Sequence, residues 1–220
     1  GSGKSLSKQE WKRVAAVVVF FIFASLFWGA YEQAGSTLNL FADRYTRLSV
    51  FGYSFPSSWF QSVPPLFVIV LAPILAWLWV RLGKHEPSSP AKFAIGLLFA
   101  GFAFLLLVPA GAAAQRGNVL VSPWWLVFAY FIETLGELSL SPIGLSVVTK
   151  LAPVRILGLM MGVWFLSSAV GNKLAGWAAG FFSTMPLATL FGSVAVVMLL
   201  SSLILGLLIK PIRNLMGDVR

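Results

Sequence analysis

No cysteine occurs among the 220 residues, which excludes a disulfide scaffold, a thiolate zinc site and a cysteine nucleophile. His85 is the single histidine, so multi-histidine metal centres and the HExxH arrangement are excluded as well. Charge is scarce. Only 10% of residues are Asp, Glu, Lys or Arg, against about 25% in soluble domains. Apolar residues fill the gap, at 58% of the chain against about 45–50%. The composition is that of a membrane protein. The opening Gly1-Ser2-Gly3-Lys4-Ser5 looks like the tail of a Walker A loop, but it lacks the earlier glycine and the preceding strand. It reads as an engineered scar or linker on a chain cut from something larger.

What is present is a set of long uncharged runs. A helix needs roughly 20 apolar residues to cross about 30 Å of hydrocarbon. The run 174–209 is too long for one crossing, and Ser183-Thr184-Met185-Pro186 breaks it. The runs on either side of Glu133 and Glu137 are each too short, so they join into one crossing with two carboxylates inside. The expected spans are about 13–41, 59–82, 91–114, 123–151, 156–182 and 187–210. Residues 1–12 are then a linker, 13–210 a six-helix transmembrane bundle and 211–220 a cytoplasmic tail. Helices are expected rather than a barrel, because the runs lack strand-like alternation and lipid demands backbone bonding within each segment. No cleavable signal peptide is evident.

The basic residues set the orientation. Twelve of the sixteen fall on one side: Lys4, Lys8, Lys12, Arg13, Arg81, Lys84, Lys92, Lys150, Arg155, Lys210, Arg213 and Arg220. The opposite loops carry Arg44, Arg47 and Arg116, and Lys173 falls inside the fifth span. This bias places both termini in the cytoplasm of a multi-pass protein of the plasma membrane, with the bacterial inner membrane the favoured one. The net charge of +9 is thus a topology signal and no sign of nucleic-acid binding. Trp11, Trp59, Trp124 and Trp125 sit near span ends as interfacial anchors.

Charges inside a membrane carry more information, because each costs at least about 2.5–3.5 kcal/mol at a helix centre unless it faces a cavity or a partner. There are four: Glu32, Glu133, Glu137 and Lys173. Trp28, Glu32 and Ser36 are spaced to share one face of the first helix, and Glu133, Glu137 and Ser141 form a stripe on the fourth. Trp164 and Ser168 repeat the spacing on the fifth. Glu137 lies about 14 residues into its span, or ~21 Å at 1.5 Å per residue, slightly cytoplasmic of the middle. Pro142 loosens the helix one residue after Ser141. Any of these carboxyls can instead serve as a structural hydrogen-bonding group, and Lys173 reads as a snorkelling or paired side chain. Gly158, Gly162, Gly171, Gly176 and Gly180 give small-residue surfaces for helix contact.

Several runs are recognisable. The stretch Phe27-Trp28-Gly29-Ala30-Tyr31-Glu32-Gln33-Ala34-Gly35-Ser36 resembles the seventh helix of the proton-coupled oligopeptide transporters of the major facilitator superfamily. Trp59-Phe60-Gln61-Ser62, followed by Leu71-Ala72-Pro73, resembles the eighth. Gly136-Glu137-Leu138-Ser139-Leu140-Ser141-Pro142-Ile143-Gly144, continuing to Met160-Met161-Gly162-Val163-Trp164 and Gly171-Asn172, resembles the tenth and eleventh. The likeness covers nearly the whole chain, but only the C-terminal six of twelve core helices.

The resemblance implies an all-α membrane fold, the C-terminal half of a major-facilitator architecture built of inverted three-helix repeats. It implies import of di- and tripeptides with protons by alternating access, with the proton gradient as energy source and no cofactor, metal or enzymatic activity. The implied partners are the lipid bilayer, the N-terminal six-helix bundle, a small peptide and protons. By the family pattern Glu137 binds the peptide's amino terminus with Ser141 beside it, and Trp28, Trp164 and Ser168 line side-chain pockets. Glu32, with Gln33 next to it, would pair with a first-helix arginine when the outside is closed. Leu145 would join Trp164 at the cytoplasmic gate.

Glu133 has no family role. Its place one turn from Glu137 suggests a relay, since two such close carboxyls cannot easily both ionise. One departure stands out. The family commonly has asparagine in the eighth helix where Pro64 stands here, so a different small solute, such as nitrate or a peptide-like conjugate, is one alternative. A channel-like or non-transporting six-helix subunit is another.

Overall fold

Backbone groups in lipid have no water to bond, and the chain meets that constraint with helices. The computed structural model describes residues 5–217 and 219. Gly1-Ser2-Gly3-Lys4, with its loop-like motif, and Arg220 from the charge count lie outside the described residues. Among the described residues six stretches are long and apolar enough to cross a membrane: Lys8–Tyr45, Ser57–His85, Ser89–Gly117, Trp124–Leu151, Val154–Ala179 and Leu187–Leu207. They match the six expected spans within a few residues, apart from an earlier start to the first.

That earlier start has a local cause. Helix α1 (Lys8–Tyr31) opens with a capping box: Ser7 Oγ accepts from the Glu10 amide at 3.2 Å, and the Ser7 amide donates to Glu10 Oε2 at 2.7 Å. Such a box satisfies two orphan donors and fixes the helix start.

The first span is also not one helix. It breaks into a tight turn of 3₁₀ geometry at Glu32–Gly35 and resumes as α2 (Thr37–Tyr45), with Ser36 at φ −127° and ψ −92°. Gly35-Ser36 is the kind of pair at which long helices kink. The expected single stripe of Trp28, Glu32 and Ser36 is therefore corrected: Glu32 begins the break, and Ser36 lies beyond it.

A short hairpin follows, β1 (Ser49–Val50) paired with β2 (Tyr53–Ser54). Thr46 bridges to Val121 in parallel, with Arg47 N–H to Val121 C=O at 2.8 Å and Val121 N–H to Tyr45 C=O at 2.9 Å. This ties together the loops at one end of the bundle. The remaining helices are α3 (Val63–Leu82), α4 (Ser89–Gly117), α5 (Trp124–Leu151), α6 (Leu157–Ala179), α7 (Leu187–Leu207) and α8 (Ile209–Met216). Pro64 occupies the first turn of α3 and is buried, a position where proline removes no helical hydrogen bond. Pro73, Pro109 and Pro142 lie inside helices that continue through them.

Helix α4 sits between α5 and α7, its most extensive neighbours, while α1 packs along α6 and α3 lies beside α5. Ser202 Oγ donates to Ala94 C=O at 2.7 Å between α7 and α4, and the Leu187 N–H starting α7 donates to Gln115 Oε1 at 2.8 Å. Small residues set the close approaches. A Cβ built on Gly96 would lie 2.9 Å from Gly136 C=O, and one on Gly171 would lie 2.3 Å from Trp28 Cβ. By contrast Gly158, Gly162 and Gly176 have nothing within 4 Å. The small-residue surface expected along the fifth span thus reduces to Gly171.

The stretch expected as a tail is partly ordered. In α8, Ile212 and Met216 are buried one turn apart while Lys210 and Arg213 are exposed.

Candidate functional site

The break after Tyr31 decides the geometry. As the last residue of α1, Tyr31 turns its phenol toward α5, where Tyr31 Oη donates to Glu137 Oε2 at 2.5 Å. Trp28 stands edge-on to Tyr31 at 5.4 Å and edge-on to Phe27 at 5.4 Å. Its Cβ lies against Gly171 of α6. The aromatic group therefore links three helices around one carboxylate.

Within the break, Gln33 is buried. Its Nε2 donates to Gly29 C=O at 3.1 Å, and its Oε1 has no hydrogen-bond partner among the described residues. Gln61, in the turn before α3, donates to Ala34 C=O at 2.7 Å and so holds the break in place. Glu32 is half-buried, its backbone N–H closes the end of α1 on Trp28 C=O, and its carboxyl makes no hydrogen bond or ion pair among the described residues.

On α5, Ser141 is half-buried and Leu145 exposed. Glu133 differs from both: it is 2% exposed, and neither carboxyl oxygen has a partner among the described residues. It faces packed protein, next to Tyr130, whose hydroxyl is also buried and unpartnered.

On α6, Trp164 is only 6% exposed. Its ring meets Phe93 edge-on at 6.1 Å and covers Gly144, where a Cβ would lie 2.2 Å from the indole. Ser168 is half-buried, its carbonyl taken by Asn172 Nδ2 at 3.1 Å. Lys173 is exposed and has no ion pair among the described residues.

The structure thus sets Tyr31 between Trp28, which its ring meets, and Glu137, which its hydroxyl bonds, and leaves Ser141 and Ser168 half-buried on α5 and α6. Trp164 is placed apart, in the interior with Phe93. Sequence reasoning passed over Tyr31, although it sits inside the quoted seventh-helix run, directly before Glu32 and three residues after Trp28. A phenol between two intramembrane acids was the available signal. Chemically, Glu137 keeps its second oxygen free of protein donors among the described residues. A half-buried carboxylate with one oxygen fixed and one free suits a cation that brings its own N–H donors.

Comparison with known proteins agrees with this architecture. The model of the POT family matches residues 3–197. An uncharacterized transporter of Bacillus subtilis, YclF, is 44% identical over 218 residues, covering 99% of this chain and 44% of that protein. The peptide transporter YePEPT of Yersinia enterocolitica is 40% identical over 221 residues, covering 98% of this chain and 43% of its own length. A crystal structure of the peptide transporter POT in complex with sulfate superposes with a TM-score of 0.89 at 41% identity, covering 97% of this chain and 43% of that one. The chain spans about half the length of the curated relatives it matches.

Proposed function

The chain belongs to the POT family, and from that premise we propose that it forms the C-terminal bundle of a proton-coupled symporter that imports di- and tripeptides. It is a multi-pass membrane protein with six spanning helices, one half of a major-facilitator fold by its likeness to solved transporters. The observation that carries the functional reading is the Tyr31–Glu137 bond, because it holds one carboxylate oxygen and leaves the other for a peptide's ammonium.

The rest of the site follows from that anchor. Ser141, one turn along α5, adds a hydroxyl beside the amino terminus. Trp28 and Ser168 offer side-chain contacts, and Trp164 with Leu145 closes the path on the cytoplasmic side. Trp164 acts there through its packing on Gly144, so motion of α6 against α5 moves the gate. In this reading Glu32, whose carboxyl has no partner among the described residues, pairs with a cation of the opposite bundle, and Gln33 fixes the break beside it. Glu133 serves as the proton relay to Glu137 through their one-turn spacing on a continuous helix.

A peptide also needs a cation for its carboxylate. The N-terminal bundle supplies it in this reading, and the two bundles rock about the site between them. Exposed apolar side chains on α3 and α6, Ile69, Trp77, Leu159 and Phe165 among them, suit contact with that bundle or with lipid. Both termini lie in the cytoplasm, as the basic residues indicate. Anionic cargo is disfavoured because the charged residues within the spans are three carboxyls, Glu32, Glu133 and Glu137, and a single lysine, Lys173. Pro64 does not alter this, since it belongs to the first turn of α3.

The test is uptake of labelled dialanine into liposomes holding this bundle together with the N-terminal bundle, under an inward proton gradient. Accumulation that collapses with the gradient supports peptide symport. Uptake indifferent to the gradient, or none from a folded complex, refutes it.

A further inference from the structure

A cleft of about 590 Å³ opens where α3 ends, α4 begins, α5 finishes and α8 crosses. The turn after α3 forms its rim, and Gly83 allows that turn by taking a φ of +48°. Four cations line the cleft, Lys84, Lys92, Lys150 and Arg213, with one described carboxylate, Glu86. Lys92 is only 5% exposed, lies 4.7 Å over the Trp79 ring and is ion-paired with Glu86. That pair neutralises itself. Lys84, Lys150 and Arg213 remain exposed, with no ion pair among the described residues. Ser88 and Ser89, at the start of the 29-residue α4, complete the polar wall, so the positive end of a long helix adds to the same field.

Location narrows the choice of anion. The cleft sits at the ends of three membrane spans. Val80, in the last turn of α3, and Leu207, which ends α7, are 82% and 74% exposed, so apolar surface leads toward it from the lipid side. Helix α8 buries Ile212 and Met216 against the bundle and leaves Lys210 and Arg213 exposed, so its basic side chains stay outside the packed interior at this end of the spans. A volume of about 590 Å³ lies within the range of small-molecule sites.

We infer that this cleft binds the phosphate of an anionic phospholipid headgroup from the cytoplasmic leaflet, held by Lys84, Lys150 and Arg213. The inference rests on the orientation proposed above, because that leaflet is the one the basic side faces. It goes beyond peptide transport, since none of these residues belongs to the site around Glu137. Bound there, the lipid would pin α8 to the ends of α4 and α5, and so bias the movement of the bundle's cytoplasmic end.

The test uses purified protein carrying both bundles. It is titrated separately with short-chain phosphatidylglycerol, short-chain phosphatidylcholine and inorganic phosphate, and the melting temperature is read at each concentration. The expected result is a saturable rise with phosphatidylglycerol and little with the other two. Each cation near a membrane surface contributes about a fivefold factor in affinity. The triple variant Lys84→Gln/Lys150→Gln/Arg213→Gln should therefore bind phosphatidylglycerol on the order of 100-fold more weakly, with its lipid-free melting temperature unchanged. If the triple variant does not fold, Lys84→Gln alone, on the exposed turn, should show the fivefold loss.

An equal rise with phosphatidylcholine, no rise with phosphatidylglycerol, or an unaffected variant overturns the proposal. An equal rise with inorganic phosphate overturns the lipid and leaves a soluble-anion site. Orientation is read separately: His85→Cys, in a chain with no cysteine, should resist an impermeant maleimide added outside intact cells. Labelling from outside overturns the orientation without touching the binding result.

Discussion

Replacing Gly171 by alanine tests the α1–α6 seam on which the aromatic group around Glu137 depends. The added Cβ would lie 2.3 Å from Trp28 Cβ, 2.8 Å from the Trp28 carbonyl carbon and 2.9 Å from the Gly29 nitrogen. Ordinary carbon–carbon contact is about 3.5–4.0 Å, so the shortfall exceeds about 1 Å. No rotamer change relieves it, because the atoms met are backbone and the root of a side chain. The helices have to separate. Overpacking of this kind costs about 1–3 kcal/mol, and for a chain of this size each kcal/mol lowers Tm by about 2–4 °C. A shift of about 1 Å also suffices to take the Tyr31–Glu137 bond, at 2.5 Å, past the usual hydrogen-bond range. Gly162→Ala and Gly176→Ala are the controls. Nothing lies within 4 Å of either added methyl, and replacing a mid-helix glycine by alanine is worth up to about 1 kcal/mol in favour of the helix. Melting curves of the three variants, followed by tryptophan fluorescence in one detergent, should show Gly171→Ala lowered and the controls level or raised. Equal melting of Gly171→Ala and Gly162→Ala would refute the close seam.

Tyr31→Phe removes the donor to Glu137 at a net cost of about 1–1.5 kcal/mol, so peptide KM should rise about tenfold while the helices stay assembled. Unchanged KM would mean the phenol does not organise the site. Glu133→Gln keeps the volume and removes the titrating group. Liposome uptake should then lose its concentrative component under a proton gradient, and undiminished coupling would rule out the relay. Glu133→Met should raise Tm, because neither buried carboxyl oxygen has a partner among the described residues and such groups cost about 1–3 kcal/mol. A lowered Tm would show that the carboxyl supports the fold.

The spans were legible because hydrocarbon imposes a single length rule on every segment, and 174–209 could be divided at Pro186 by counting alone. The kink at Gly35-Ser36 was harder to see. The apolar pattern runs unbroken across it, and the consequence, that Glu32 opens a break instead of sitting on a helical face, depends on how Gln61 and Gln33 bond to that backbone. Glu137 could be singled out from its burial cost. Its partner could not, because a tyrosine next to a tryptophan and a glutamate reads equally well as packing. Trp164 shows the opposite limit: its spacing to Ser168 suggested a shared lining, whereas the fit of its ring onto Gly144 and Phe93 is a matter of three helices meeting. The amphipathic turn of α8 was present in the sequence as Ile212 and Met216 set against Lys210 and Arg213, but eight residues are too short to stand out from a tail.

The central claim is that Glu137 receives the peptide's amino terminus, and competition by dialanine against N-acetyl-dialanine tests it most directly. A hydrogen bond to a charged group contributes about 1.5–3 kcal/mol, or roughly 10- to 150-fold in affinity. Native protein carrying both bundles should therefore prefer the free amine by a factor in that range. Glu137→Gln, confirmed folded by its melting curve, should bind the two peptides about equally. A preference for the free amine that survives in Glu137→Gln would contradict the account and assign the ammonium to another residue.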